Sequence, residues 1–332
     1  MPKRGLVISG GGVKGAFGVG VLEYWMKVKG LTFDFVVGTS TGGLITPYVV
    51  TGDIDIIKDI YSNVDSSDIL GNVEWSKVAS AGYLNNVDPL WNLIQKNITD
   101  ERWAKVQAVS GQMCVVTVDF QTSNTVYFHS KDKLITLPPA EERVLQSADD
   151  LRRAILASGC EPCFMPTVHI TRNGLKHQYV DGGVRDYAPI RLALLNGVEE
   201  LYVIILSPAG YHDTNTEYTN LVNVLLRTIE LLSDAVGTQN IGIADQTMQS
   251  ILYINDLKQS LVQKHGWTSD QADQFLAGTG DQPNPFANYQ LKTAPIIIRP
   301  EVPLTFDSLN FQTADMRRMI QTGYDRAQSV VV

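Results

Sequence analysis

The sequence predicts an α/β fold built on a parallel sheet, and three observations predict it. The chain opens as strand, helix, strand, helix, an order that implies parallel strands joined by right-handed crossovers. The first strand runs directly into a glycine-rich loop, Gly10-Gly11-Gly12-Val13-Lys14-Gly15, which opens an apolar helix. The second strand runs into Gly38-Thr39-Ser40-Thr41-Gly42 before the next helix begins. A serine between two glycines, squeezed between strand and helix, has the form of a nucleophile elbow. Such a turn tolerates almost no Cβ at its flanking positions, hence Gly38 and Gly42. The serine hydroxyl then projects from the sheet edge, beside a helix N-terminus that stabilises negative charge. An ordinary turn with a serine N-cap shares the pattern, but the strand before and the helix after favour the elbow.

The first strand is expected at Leu6-Val7-Ile8-Ser9, followed by a helix from Ala16 to about Lys29. The second strand is expected at Phe33 to Val37, and the helix after Ser40 runs to about Val50, with Pro47 expected to kink or interrupt it. Residues 53 to 105 read as mostly helical and contain Trp75, Tyr83, Trp91 and Trp103. Strands resume at Met113 to Phe120 and Thr125 to Phe128, and a helix follows over about Asp149 to Ser158. Thr167 to Ile170 and His177 to Val180 form a hairpin around Asn173-Gly174, a favoured turn pair. After Asp181-Gly182-Gly183, a short helix near Pro189 to Asn196 leads to a buried strand, Leu201 to Leu206. Residues 216 to 265 read as two long amphipathic helices, with Leu221, Val224, Leu225, Ile229 and Leu232 at helical spacing on a core-packing face. A loop over 278 to 293, a strand over Ala294 to Arg299 and a terminal helix over 313 to 329 complete the chain. With no internal repeat and no interdomain linker, one domain with helical insertions is the simplest account.

Composition narrows the function classes. A hydrophobic content of 44% with 19% charged residues is that of an ordinary globular protein. No run approaches the eighteen apolar residues of a membrane span. A formal net charge of -8 argues against nucleic acid as partner and against strong electrostatic docking on an anionic membrane. Met1-Pro2-Lys3-Arg4-Gly5 enters the first strand at once, leaving no room for a cleaved signal. A cytoplasmic location is therefore expected, with export by a route that needs no cleaved signal left open. Cys114, Cys160 and Cys163 are too few and odd in number for a disulfide framework. Cys160-Glu161-Pro162-Cys163 is a lone C-x-x-C that follows a helix, with no second pair or suitably spaced histidine, so a redox or zinc role is disfavoured.

Gly10, Gly12 and Gly15 also satisfy the spacing of a dinucleotide loop. That reading needs an acidic residue at the end of the second strand, where this chain has Gly38-Thr39-Ser40, and Asp34 lies near the strand's start. A phosphate-binding P-loop fails because Ala16-Phe17 follow Gly15. The better reading joins the two loops. Adjacent parallel strands put the glycine loop beside Ser40, where backbone N–H groups around Gly11 and Gly12 face the oxygen of a tetrahedral intermediate. The serine needs a base. None of His129, His169, His177, His212 and His265 lies in a signature that marks it as one. Asp181, at a strand end before Gly182-Gly183, is the stronger candidate, although an Asp-Gly turn is common in itself.

Together these motifs resemble the patatin-like phospholipase family: Gly10 to Gly15, Gly38 to Gly42 and Asp181-Gly182-Gly183 stand in the family order across residues 5 to 190. Ala157-Ser158 with Pro162 and Pro166 resembles the block before the Asp-Gly pair, and Gly323-Tyr324 the closing helix. The resemblance implies a three-layer α/β/α patatin-like fold with a mostly parallel central sheet and helical insertions. It implies a single patatin-like domain over 1–332, with a catalytic core over about 5–210, an insertion over about 211–293 and a closing strand and helix over about 294–330. It implies a serine–aspartate dyad of Ser40 and Asp181, and an oxyanion hole at Gly10, Gly11, Gly12 and Val13. Lys14 would take the family's basic position, with Gly15, Gly38, Gly42, Gly182 and Gly183 in support. Tyr187 departs from the pattern, since family members frequently carry an asparagine there. Residues 208 to 293 match nothing in it.

The function expected is that of a lipid acyl hydrolase of phospholipase A or lysophospholipase type, a serine esterase that uses no metal or cofactor and acts without calcium. Its partner would be membrane or micellar lipid, touched peripherally, and the need for an activator stays open. An apolar wall and a lid are expected near Trp75 to Trp103 and near Pro283 to Tyr289. The alternatives are an acyltransferase using the same acyl-serine, a non-catalytic membrane- or partner-binding module, and a nucleotide-binding protein.

Overall fold

The computed structural model describes residues 2–71, 73, 82–172, 174–210, 217–219, 221–279, 282–304 and 310–330. Strand β1 (Arg4–Ile8) leads through a 3-10 turn, Gly12–Lys14, into α1 (Gly15–Glu23), whose last turn widens to a π-helix over Tyr24–Val28. There follow β2 (Phe35–Thr39), α2 (Thr41–Val50), α3 (Ile54–Asn63), α4 (Ser66–Ile69), α5 (Asp88–Asn97) and α6 (Asp100–Ala108). The middle of the chain supplies β3 (Gln112–Asp119), β4 (Thr125–His129), β5 (Glu141–Val144), α7 (Ala148–Gly159), β6 (Val168–Arg172) and β7 (Leu175–Asp181). The remainder supplies α8 (Ile190–Leu195), β8 (Glu200–Ile204), α9 (Leu221–His265), α10 (Ser269–Leu276), the short pair β9 (Gly278–Thr279) and β10 (Gln282–Pro283), β11 (Ile296–Ile298) and α11 (Thr313–Ser329).

The main sheet has the order β11-β8-β1-β2-β3-β4-β5, and the steps from β11 to β3 are all parallel. Its strands alternate sides with the period of two that pleating imposes. Leu6, Ile8 and Val36 face one core, shared with Phe17 of α1, Ile45 of α2, Ile57 of α3, Leu90 of α5, Ile155 of α7 and Ile320 of α11. Val7, Phe35 and Val37 face the other, shared with Ile190 and Leu192 of α8 and Ala244, Met248 and Ile251 of α9. Helices therefore cover both faces, and the architecture is the expected three-layer α/β/α with a mostly parallel sheet. Helices α1 and α11 cross in direct backbone contact. A Cβ on Gly20 would stand 1.9 Å from the Ile320 carbonyl oxygen, and one on Gly323 would stand 1.9 Å from that of Phe17.

The junction that matters for function lies along β3. Residues Gln112 to Val116 pair with β2 in parallel, and Thr117 to Asp119 pair with β7 in antiparallel. Strand β7 thus takes over where β2 ends, and the two meet end to end: Thr39 lies opposite Val116, and Asp181 opposite Thr117.

Several expectations are corrected. Strand β2 starts at Phe35 and ends at Thr39, two residues later than the apolar run implied, so Asp34 precedes the strand and accepts from the Arg4 N–H at 2.8 Å. Pro47 does not interrupt α2. The Gly43 carbonyl, which Pro47 cannot serve, accepts from the Thr46 hydroxyl at 2.9 Å instead. The two helices expected over 216 to 265 are one helix of 45 residues, because amphipathic periodicity carries no punctuation where no glycine–proline break intervenes. The strand near 294 shortens to Ile296–Ile298. Trp75, Asn173 and His212 lie outside the described residues. Among the described residues, no helix is long and apolar enough to cross a membrane.

Candidate active site

Ser40 stands between β2 and α2 with φ 56° and ψ −127°, a region that side-chain-bearing residues rarely enter. The two glycines around it are required by contact. A Cβ on Gly38 would lie 2.2 Å from the Gly42 carbonyl carbon, and one on Gly42 would lie 2.4 Å from the Ile8 oxygen. The turn is held from below by Ser158, fully buried on α7. Its hydroxyl accepts from the Ser40 N–H at 2.9 Å and donates to the Val116 carbonyl at 2.6 Å. Ser158 belongs to the Ala157-Ser158 pair in the sequence motif, but its hold on the elbow was not legible there.

Asp181 ends β7 and caps the short turn Gly182–Val184, accepting from the Gly183 N–H at 2.7 Å. The close packing of Gly182, whose Cβ would fall 2.6 Å from the Val116 oxygen, seats this turn directly on β3. Ser40 and Asp181 are 8% and 7% exposed, side by side at the strand junction. Burial pushes the Asp181 carboxyl up to about 6, against the lowering effect of hydrogen bonds from the Ser40 hydroxyl and the Gly183 N–H. A carboxylate in this setting can accept the serine proton and release it near neutral pH.

The glycine loop lies against the same point, with a Cβ on Gly10 falling 3.5 Å from that of Ser40. The Gly10 N–H is committed to the Tyr187 carbonyl at 2.9 Å, so Gly10 acts as a spacer and does not offer a donor. Gly12, at φ +55°, and Val13 begin the 3-10 turn, whose first N–H groups have no intrahelical acceptor. Gly12 and Val13 line a cavity together with Ser40. Gly15 approaches α2 so closely that a Cβ would meet the Thr41 hydroxyl at 2.1 Å. Tyr187, in the position of the family asparagine, braces this loop and not the aspartate. Its ring lies 3.2 Å from where a Gly10 Cβ would stand, and its N–H donates to Asn240 of α9 at 2.9 Å.

The cavity that opens at Ser40 holds about 210 Å³ and runs among apolar side chains, including Leu44, Tyr48, Leu90, Leu93, Ile94 and Phe311. Helices α3 and α5 supply its wall, as expected for the region before Trp103, although the tryptophans Trp91 and Trp103 pack against the core and do not line it. The expectation for Pro283 to Tyr289 is overturned: Phe286 and Tyr289 pack against the opposite face of the sheet. No histidine lines the cavity among the described residues. His129 is buried against Glu142, and His177 pairs with Asp119 at 2.7 Å.

Two acidic groups escaped the sequence reading. Glu161, inside the C-x-x-C, lines the cavity. It is pushed up to about 7 by burial, then by Asp181 and Glu230, with Lys14 opposing. Lys14 also opposes the burial that raises Asp234 on α9. Asp186 accepts from the Tyr127 hydroxyl at 2.7 Å, and its carbonyl accepts from the Thr39 hydroxyl at 2.8 Å. All three cysteines are free, Cys114 and Cys160 buried and Cys163 exposed.

The patatin-like phospholipase family model matches residues 6–194. The uncharacterized protein YqhO of Bacillus subtilis (strain 168) is 25% identical over 264 residues, which cover 75% of this chain and 86% of that protein. Among solved structures, VipD from Legionella pneumophila is similar over 99% of this chain at a TM-score of 0.44 and 15% identity. This chain spans 66% of the length of that VipD chain.

Proposed function

The chain belongs to the patatin-like phospholipase family, and from that premise we propose that it cleaves fatty-acyl esters of glycerolipids, phospholipids or lysophospholipids, through an acyl-serine on Ser40. The observation that carries this reading is the meeting of Ser40 and Asp181 at the end-to-end junction of β2 and β7, at the mouth of an apolar cavity. The Ser40 hydroxyl oxygen attacks the ester carbonyl while Asp181 takes its proton. N–H groups of Gly11, Gly12 and Val13 receive the oxyanion, each such donor being worth about 3 kcal/mol of barrier. Collapse of the intermediate expels the alcohol, which leaves with the proton from Asp181. Water then attacks the acyl-serine, giving its proton to Asp181, and the fatty acid departs as the serine hydroxyl re-forms. The acyl chain occupies the cavity between α3 and α5, and the dyad needs no metal.

The reading is tested by incubating wild type and Ser40→Ala with mixed phospholipid vesicles in the absence of calcium and identifying released fatty acids and lysolipids by mass spectrometry. Release by wild type that vanishes in Ser40→Ala is expected, and equal release by both overturns the assignment. The cavity makes a separate prediction. Leu93 is half-buried on its wall, so Leu93→Trp fills space without opening the core. Its kcat/KM for palmitoyl esters should fall by roughly tenfold to a hundredfold, with butyryl esters little changed. A parallel loss on both would place the acyl chain elsewhere.

A further inference from the structure

A second cavity lies on the face of the sheet that α8 and α9 cover. It also holds about 210 Å³ and shares no lining residue with the cavity at Ser40. Segments far apart in the chain close it: β4 through Tyr127, the loop before β5 through Pro139, residues 185–186, α8 through Arg191 and α9 through Asn240. Tyr127 packs in the core beneath α8 and α9, whereas the acyl cavity is walled by residues of the core on the other face, such as Leu90 and Ile94.

The polar lining of this second cavity is rich in donors that lack acceptors. The Arg185 and Arg191 guanidinium groups are exposed at its rim and make no hydrogen bond or ion pair with any described residue. Nine other arginines, Arg4 among them, each reach a carboxylate or a backbone carbonyl. Asn240 adds a third donor. The Tyr187 N–H, at 2.9 Å, must face the Asn240 Oδ1, so the amide nitrogen is the end turned away from that bond. The one carboxylate in the lining, Asp186, is engaged by the Tyr127 hydroxyl at 2.7 Å and forms an ion pair with neither arginine. Two guanidinium forks and an amide against one carboxylate make a locally positive cavity in a chain of net charge -8. A phosphate offers such forks the paired acceptor oxygens that their planar geometry matches. The cavity is smaller than those that hold drug-sized ligands, so the molecule that carries the phosphate is small.

Residues 185–187 tie this cavity to three parts of the catalytic centre. The Arg185 N–H donates to the Gly182 carbonyl at 3.0 Å, next to Asp181. The Asp186 carbonyl accepts from the Thr39 hydroxyl at 2.8 Å, next to Ser40. The Tyr187 carbonyl accepts from the Gly10 N–H at 2.9 Å, in the glycine loop. We propose that the cavity binds a small phosphate monoester, clamped by Arg185, Arg191 and Asn240, and that the bound molecule is an effector that steadies residues 185–187 and with them the dyad turn, the elbow and the glycine loop. A ligand that needs Arg185 and Asn240 in one arrangement favours that arrangement. The effect on turnover rests on the hydrolase reading above, and the binding does not. A phospholipid headgroup carries the same phosphate chemistry, but the cavity that suits acyl chains opens on the other face of the sheet, so a free monoester is the better occupant.

The test titrates the full chain with inorganic phosphate, glycerol 3-phosphate and ribose 5-phosphate by calorimetry. At least one of the two monoesters should bind with a Kd below about 1 mM. Arg185→Gln and Arg191→Gln should each weaken that binding by about tenfold or more. Neither side chain has a protein partner to leave unpaired, so both variants should keep the Tm of wild type and, without ligand, cleave a soluble butyryl ester within about twofold of its rate. With the monoester present, hydrogen exchange at the Gly10 and Asp186 amides should slow in wild type and not in the variants, and wild-type kcat on the butyryl ester should rise by about twofold or more. Monoesters that bind no more tightly than about 1 mM overturn the proposal, whatever inorganic phosphate does. Binding that both variants retain overturns it, as does bound monoester that leaves exchange or turnover unchanged. Phosphatidic acid vesicles that bind wild type but not the variants, with no binding of the soluble monoesters, assign the arginines to a lipid headgroup and overturn it too. Failure of the hydrolase reading shows differently: wild type then cleaves no ester, and binding and exchange still decide the site.

Discussion

Replacing Asp181 by asparagine should remove hydrolysis almost as completely as replacing Ser40 by alanine, with a loss of about a thousandfold or more in kcat. Asparagine preserves the shape of the side chain and can still accept from the Gly183 N–H, so the fold is retained while the proton acceptor is gone. The wild-type pH profile should report the same group. Burial raises the Asp181 carboxyl to about 6, and only its ionised form can take the Ser40 proton, so kcat/KM should rise with pH through about 6 and then level. Stability should move the opposite way. A buried carboxyl whose pKa is raised on folding contributes most to stability at pH below its unfolded value, and that contribution is lost as pH rises through about 6. Between pH 5 and pH 8 wild type should therefore gain activity while losing Tm, and Asp181→Asn should lose less Tm over the same interval. Asp186, raised to about 6 by burial, and Glu161, raised to about 7, add to the stability trend without taking the serine proton. Asp186→Asn should thus flatten the Tm profile further and leave the activity limb near pH 6 in place. An activity limb that persists in Asp181→Asn would disqualify Asp181 as the base.

The parts of this site that were legible in the sequence are those fixed by local geometry. Gly38 and Gly42 announce the elbow because the contacts that exclude a Cβ arise within a few residues of the turn or from the adjacent β1. The glycine loop is legible for the same reason. The union of Ser40 with Asp181 is different in kind. It depends on β7 replacing β2 along one edge of β3, a pairing between segments far apart in the chain that spacing does not encode. The strand-end turn made Asp181 a candidate base, and the ordered resemblance of the motifs paired it with Ser40. The cavity was legible only in outline, because its wall is a product of how α3 and α5 pack and the aromatic residues that drew attention lie elsewhere. Glu161 was hidden by its neighbours: the C-x-x-C pattern directs attention to the thiols, whereas the residue that reaches the cavity is the glutamate between them. The exposure of Val224 and Leu232 on α9 was obscured because apolar residues at helical spacing match a core-facing helix, and only the packing shows which side of the helix meets the core.

Ser158→Ala should be the most damaging change outside the dyad, and its effect should divide in an informative way. The Ser158 hydroxyl is the partner of two buried backbone groups, the Ser40 N–H and the Val116 carbonyl, and alanine leaves both without it. Each unsatisfied buried group costs about 1–3 kcal/mol, which for a chain of this size lowers Tm by roughly 1.5 °C per kcal/mol. The Val116 carbonyl also flanks Gly182, so the loss loosens the elbow and the aspartate turn together. The strained backbone of Ser40, at φ 56°, is then held by the contacts of Gly38 and Gly42 and by the Gly43 N–H, which donates to its carbonyl at 2.8 Å. If the hydrogen bond to Ser158 orients the nucleophile, kcat should fall by tenfold or more at a temperature where the variant is fully folded, with KM for a soluble ester little changed, because the acyl cavity is intact. If Tm falls and kcat does not, the glycine contacts and the Gly43 N–H suffice to hold the elbow, and Ser158 serves only to satisfy the backbone beneath it.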